Sequence, residues 1–479
     1  MREGIERFLA AVTSNSVSLF GSGLTTITAF LFLLLFFINL VSEHGSGPYM
    51  GILAFLVLPA LFVLGLLLIP FGIYRQRKRH REAVARGEAE GPQFAVLDFN
   101  RAATRKAALV FLAATSVNAL ILGTGTYKSV EVMESTEFCG ATCHTVMEPE
   151  YTTYKRSPHA RVPCVECHIG SGANWFVRSK LSGSWQVIAV AFNLYPRPIA
   201  VPVHNLRPAR ETCEQCHWPA KFVGDRLKVR THYEEDEANT EVKTVLVVKV
   251  GGQQAGHSHG IHWHVDPDHT VRYRADEKRD TVYEVEMTAR DGARKRWKGP
   301  AADKPEAAKA TAWRTMDCVD CHNRPTHIYR SAADELDAAL LDRRVDPGLP
   351  FVRREGLKAL EAEYPSHAAA RAGIAKAVAD FYAREYPEVS KQKAEAVAAA
   401  GRALGDIWCW NVFPEMNIKW GTYTNHLGHP DMSVTGCFRC HGGDHTSSDG
   451  ETIAADCDTC HTLLAEREKD PAVLKTLLE

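Results

Sequence analysis

Three things are scarce in this chain of 479 residues. An excess of either charge is missing: 56 lysines and arginines meet 57 acids, for a formal charge of −1, so nothing points to nucleic acid or another polyanion as partner. Cysteine outside a regular pattern is missing too. Of 13 cysteines only Cys409, in IWCW, stands apart, and it reads as a small buried hydrophobe rather than a ligand. Ionisable residues are missing from three apolar stretches, Ser18 to Val41, Tyr49 to Tyr74 and Ala107 to Tyr127. Haem held within a bilayer would need histidines there and a proton channel would need relay groups, so both are excluded.

A chain of this length exceeds what one hydrophobic core organises. The first two apolar stretches are each long enough to span a bilayer. The third, with Asn118 and many small residues, suits a helix packed against others. A cleaved signal peptide is the alternative for the first, against which stand its length and the preceding Glu3 and Glu6. A buried soluble helix is the alternative for the third. Between the second and third lies YRQRKRHREAVARGEAEG, Tyr74 to Gly91, and so dense a basic cluster stays in the cytoplasm. The N-terminus is then cytoplasmic, and all that follows Tyr127 lies on the periplasmic side of the inner membrane. His44 and His80 fall outside the apolar runs and read as solvated.

The other 12 cysteines form six pairs, each followed directly by histidine. They are Cys139, Cys143 and His144; Cys164, Cys167 and His168; Cys213, Cys216 and His217; Cys318, Cys321 and His322; Cys437, Cys440 and His441; and Cys457, Cys460 and His461. Such a run attaches a c-type haem: the thiols add to the porphyrin vinyl groups and the adjacent histidine reaches the iron. Zinc does not require that histidine. A disulfide across two intervening residues has poor geometry and leaves the histidine unexplained. Six covalently bound c-type haems are therefore expected. The first site is unusual in having three residues between its cysteines.

Each iron takes a second ligand, and the chain offers a pool. Met147 follows the first motif and is either an axial sulfur or a packing methionine. His159, His204, His327, His426, His429 and His445 stand near the motifs, and His257, His259, His262 and His264 cluster in GHSHGIHWH. Neutral imidazole is a common haem ligand; those taken as iron ligands are His159, His204, His262, His264, His327, His429 and His445. Alternating histidines also suit a surface metal site. His232, His269 and His367 read as surface residues.

The fold expected is mainly α: a three-helix membrane anchor, then a multihaem domain of little regular structure with a small antiparallel β insertion and C-terminal helices. Residues 1–130 form the anchor, with helices near 18–41, 49–74 and 107–127, and 131–224 the first three haem sites. Alternation in TEVKTVLVVKV and DTVYEVEMTARDG marks strands within 225–310. Residues 311–479 hold the fourth motif, a helical stretch from Ser331 to Gly405 and the last two motifs.

On these motifs the chain resembles the NapC/NirT family of membrane-anchored multihaem quinol dehydrogenases, over about Glu131 to Arg330. The resemblance implies that Met147 ligates the first haem, that His159, nine residues before His168, serves the third, and that His327, five after His322, serves the second. It implies a quinol-site lysine at Lys180, which is otherwise a surface residue in FVRSKLSG. The family's acid beyond that lysine is absent, with Gln186 and Val187 in its place. The family has one membrane helix and four haems. The larger plan here is similar to inner-membrane multihaem cytochromes of bacteria that respire metals or other external acceptors.

Together these imply oxidation of menaquinol at the outer membrane face, electrons passing to a periplasmic c-type cytochrome or a reductase subunit. Membrane lipid is the other partner, and association of identical copies stays open. The competing readings are a terminal reductase of nitrite or hydroxylamine at an open haem, and a haem-bearing anchor for a catalytic subunit.

Overall fold

The computed structural model describes residues 15–41, 57–87, 99–142, 144–170, 172–203, 207–218, 222, 224–254, 257–429 and 435–478. His44, Cys143, His204 and residues 49–56 of the second apolar stretch lie outside them. The chain divides into two compact units, Met1–Thr142 and Cys143–Glu479.

The first unit contains helices α1 (Ser16–Val41), α2 (Leu58–Ala85), α3 (Ala102–Met133) and α4 (Thr136–Ala141). Among the described residues two segments are long and apolar enough to cross a membrane, Ser16–Leu34 and Leu58–Ala85. The third stretch expected to span is indeed helical. It lies within a 32-residue helix; of the three membrane helices expected, two are supported by length and hydropathy among the described residues. α2 continues through the basic cluster, so the cationic run is a helical extension of the second span.

α1 and α2 approach closely because small residues meet. A Cβ at Gly21 would stand 2.8 Å from the Gly65 carbonyl oxygen, and one at Gly65 would stand 2.9 Å from that of Gly21. Ser18 Oγ donates to the Ile69 carbonyl at 2.8 Å. In lipid, where apolar burial drives nothing, such contact is what joins helices. Gly65→Leu is expected to separate them at a cost of about 1–3 kcal/mol, read as earlier unfolding of the membrane unit in a detergent titration.

In the second unit, α5 (His144–Lys155) and α6 (Ala173–Ala191) precede ten strands among the described residues. All strand pairs are antiparallel. β1 (Arg226–Tyr233), β2 (Glu241–Val248) and β10 (His461–Glu468) form one sheet in the order β1-β2-β10. β3 (Gly252–Gln254) pairs with β4 (His257–His259). β5 (Thr270–Ala275), β6 (Val282–Thr288), β7 (Arg294–Lys298), β8 (Arg314–Thr315) and β9 (Thr446–Ser447) form a sheet ordered β8-β5-β6-β7-β9.

The β region is thus larger than a small insertion, because strands after residue 310 complete it. His461 pairs with Val248 and Lys298 with Thr446. Among the described residues neither β9 nor β10 has a partner strand of its own in the C-terminal segment, and each forms by adding to an existing edge.

The main core is helical: α7 (Ala332–Leu341), α8 (Val352–Glu361), α9 (His367–Glu385) and α10 (Ala394–Asn411) bury Leu336, Leu340, Leu360, Ile374, Leu404 and Ile407. Ser331 and Ser366 cap α7 and α9 by accepting from the backbone N–H of Asp334 and Ala369. Cys409 is buried in this core, as its apolar surroundings suggested. Arg156 ties the core to the motif region through Glu335 (2.7 Å), whose side chain is almost wholly buried.

Candidate haem sites

Each Cys-x-x-Cys-His run occupies a single tight turn. Cys164–His168 and Cys318–Cys321 are one-turn helices, and Gly436–Arg439 and Cys457–Thr459 are 3₁₀ turns. The backbone N–H of His217, His322 and His441 closes back on Cys213, Cys318 and Cys437 at 2.8, 2.8 and 3.0 Å. Residues i, i+3 and i+4 of a helical turn share one face, so both thiols and the imidazole are offered to the same side. In the first motif Cys139 lies on α4, and His144 and Met147 belong to α5.

Five motif histidines each face one further histidine. Ring centres are 6.0 Å apart for His217 and His159, 6.2 Å for His168 and His327, 6.4 Å for His322 and His262, 5.6 Å for His441 and His264, and 6.0 Å for His461 and His429. Two metal–nitrogen bonds of about 2 Å, with the distance from ring centre to nitrogen on each side, put trans imidazoles roughly 6 Å apart. Four of the pairs stand close to that separation; His441 and His264, with Nε2 atoms 3.4 Å apart, are somewhat tighter.

Backbone carbonyls aim the rings. Nδ1 of His159 meets the Pro325 oxygen at 3.0 Å, that of His262 meets Val250 at 3.0 Å, that of His264 meets Ile261 at 2.7 Å and that of His441 meets Ala454 at 2.6 Å. With Nδ1 so engaged, Nε2 is left as the metal-binding nitrogen. The protein atoms crowding His168 lower its pKa to about 4, helped by His327 opposite, although part of the ring surface stays exposed. Desolvation likewise lowers His264 and His322. All three favour the neutral form that binds metal.

The clustered histidines are shared between two motifs. Ile261–Val265 is a 3₁₀ turn, in which two residues of spacing rotate a side chain by about 240°, so His262 and His264 diverge, one to His322 and the other to His441. The side chains of His144, His257 and His259 are outside the description. His445 is buried elsewhere, with Nδ1 3.0 Å from Asp444 and Nε2 3.3 Å from the Val282 carbonyl, which leaves neither nitrogen directed at a motif. His426 is buried against Asp280 at 3.0 Å. Of the histidines read as surface residues, His269 stacks on Trp263 at 3.9 Å and His367 Nε2 donates to the Val412 carbonyl at 2.8 Å; His232 lies 3.4 Å from Asp337.

Successive motifs are also neighbours. Cys167 lies near Cys213 and Cys216, Cys213 near Cys318, Cys321 near Cys437, and Cys460 near Cys437. From the second motif to the sixth, the spatial order follows the chain.

Residues 101–198 match the pattern of the NapC/NirT cytochrome c family, N-terminal region. The chain is 41% identical over 460 residues to the cytochrome c-type protein ImcH of Geobacter sulfurreducens, covering 95% of this chain and 88% of that protein. The chain belongs to the NapC/NirT cytochrome c family. It is also 29% identical over 93 residues to the cytochrome c-type protein NrfH of Wolinella succinogenes, covering 19% of this chain and 52% of that one. No solved structure matches it. The protein is accordingly a membrane-anchored multihaem c-type cytochrome, with haem bound covalently.

In this NapC/NirT cytochrome the residues inside the motifs also brace them. Asp320, 1% exposed, accepts from Arg314 (2.8 Å), Arg279 (3.2 Å) and Tyr273 (2.7 Å). Its carbonyl accepts from Arg439 of the fifth motif at 2.6 Å, so the fourth and fifth motifs are held together by their own intervening residues. Burial and Asp320 raise the Tyr273 hydroxyl pKa well above the ordinary range. Nothing in the motif pattern announced this brace, because any residue satisfies those positions.

Lys180 lies midway along α6, and its carbonyl accepts from Ser184 Oγ at 2.9 Å. Nδ1 of His327 is 3.0 Å from both the carbonyl and Oε2 of Glu150, while Glu150 Oε1 accepts from Tyr329 at 3.2 Å. Among the ring pairs with a described Nδ1 partner, His327 is the one with a carboxylate oxygen beside it.

Proposed function

We propose that this cytochrome oxidises menaquinol at the periplasmic face of the inner membrane and relays the electrons through six haems to a periplasmic c-type cytochrome or reductase subunit. The observation that carries this reading is the series of five facing histidine pairs on motifs that neighbour one another in chain order. In it, His168 and His327, His217 and His159, His322 and His262, His441 and His264, and His461 and His429 ligate five irons. Cys139, Cys143, His144 and Met147 serve the sixth. The haems supply one-electron chemistry; the chain sets their spacing and surroundings.

The chain's own residues divide the remaining work. Lys180 donates a hydrogen bond to the quinol oxygen. The first motif, separated from Tyr127 by eleven residues, stands next in sequence to the third apolar stretch, which joins α1 and α2 in the anchor. With the basic end of α2 cytoplasmic, the quinol protons leave on the outer side, since no ionisable relay crosses the apolar spans. Five histidine pairs leave those irons no open position, which favours relay over reduction of nitrite or hydroxylamine.

The test is to mix the purified holoprotein in detergent with a reduced menaquinone analogue and follow the haem absorbance. Prompt reduction is expected; no reduction removes the dehydrogenase reading in favour of a passive anchor. A second expectation concerns Glu150. A carboxylate near a ligating imidazole stabilises the oxidised iron, so Glu150→Gln should raise one of the six midpoint potentials. A loss of about 1 kcal/mol, the difference between a charged and a neutral partner, corresponds for one electron to roughly 40 mV. A spectroelectrochemical titration reads it.

A further inference from the structure

Helix α6 carries a row of large apolar side chains on its surface. Val177, Leu181, Trp185 and Ile188 are 55, 69, 60 and 45% exposed, and Phe192, just past its end, is 72% exposed. At 100° per residue these five fall within an arc of about 80°. Val187, 50% exposed, widens the row on one side, while Ala189 on another face is buried. From Val177 to Phe192 the row is about 22 Å long, too long for a single haem to cover.

The polar residues of the helix are as informative. Its sequence, ANWFVRSKLSGSWQVIAVA, contains no acid. Its two cations, Arg178 and Lys180, flank the five-residue row at roughly 100° and −60° from Val177, with Val187 just beyond Lys180 at about −80°. An apolar stripe containing tryptophan and bordered by cations is the pattern of a helix lying in a membrane–water boundary. A second copy of the chain is a poorer occupant, since two such helices would bring cations against cations with no acid to meet them.

We propose that α6 lies flat on the periplasmic leaflet, with Leu181, Trp185 and Phe192 among the acyl chains and Arg178 and Lys180 at anionic lipid headgroups. The haem-bearing unit then has a membrane contact of its own, besides the spanning helices. This goes beyond the quinol reading and does not require it: α6 can rest on lipid whether or not Lys180 meets a quinol.

The experiment uses full-length holoprotein in nanodiscs of phosphatidylethanolamine and phosphatidylglycerol that carry a photoactivatable diazirine on the acyl chain. After irradiation, peptides are mapped by mass spectrometry. Adducts on residues 177–192 are expected alongside those on α1, and Trp185→Glu with Leu181→Glu should lower the α6 adducts several-fold while α1 labelling is unchanged. Adducts confined to α1 and α2, or cross-links joining α6 to α6 of another copy, overturn the proposal. If the double variant loses haem, the wild-type map decides alone. Failure of the quinol reading shows separately, as labelled α6 in a protein that menaquinol does not reduce.

Discussion

Replacing His264 with alanine is expected to convert one low-spin haem to a high-spin form that binds carbon monoxide when reduced. His264 faces His441 with Nε2 atoms 3.4 Å apart, and its Nδ1 is fixed by the Ile261 carbonyl. Two backbone-aimed rings leave little freedom for a substitute ligand, and the other histidines near the fifth motif in sequence are engaged elsewhere: His429 faces His461, His426 lies against Asp280, and His445 has both nitrogens occupied. His445→Ala should therefore create no new high-spin haem. Because the fifth motif stands between the fourth and sixth, losing its ligand should slow electron delivery to a soluble acceptor by at least the roughly 10–100-fold that disturbing a metal site's outer shell costs. Magnetic circular dichroism and stopped-flow reoxidation read both. No new high-spin haem in His264→Ala, with one appearing in His445→Ala, would reverse the assignment.

Lys180→Ala is expected to lower kcat/KM for menaquinol by about 10- to 150-fold, the equivalent of losing a charged hydrogen bond worth about 1.5–3 kcal/mol. Reduction by dithionite, which needs no quinol site, should be unchanged, and Lys180→Arg should retain part of the activity because it keeps a donor of the same charge. The absence of an acid at Gln186 and Val187 makes this lysine the chief polar group on α6 for the role, so the effect should be large. An unaltered quinol rate in Lys180→Ala would place quinol elsewhere.

How much was legible differs from residue to residue. The attachment motifs could be read directly because their chemistry is local: Cys164, Cys167 and His168 must share one turn to reach one porphyrin. His159 and His327 stood in the pool of candidate ligands by their nearness to motifs, but their partners were indicated only by spacings shared with a family, since each faces a motif other than the one beside it. His262 and His264 look alike in GHSHGIHWH, and only the 3₁₀ turn separates them. His445 seemed equivalent to His429 by its distance from a motif. The fold places one opposite His461 and the other against Asp444 and Val282. The β region was recognised by alternation, but its completion by β9 and β10 depends on pairing across some 150 to 220 residues of chain, and periodicity says nothing of partners.

The sequence by itself determined that this is a membrane-anchored multihaem c-type cytochrome, because covalent haem attachment and bilayer spanning each demand contiguous residues. The tertiary structure alone decided which imidazole faces which, how Asp320 and Arg439 clasp two motifs, and which face of α6 stays uncovered. Those are relations between distant segments, and they exist only once packing has brought the segments together.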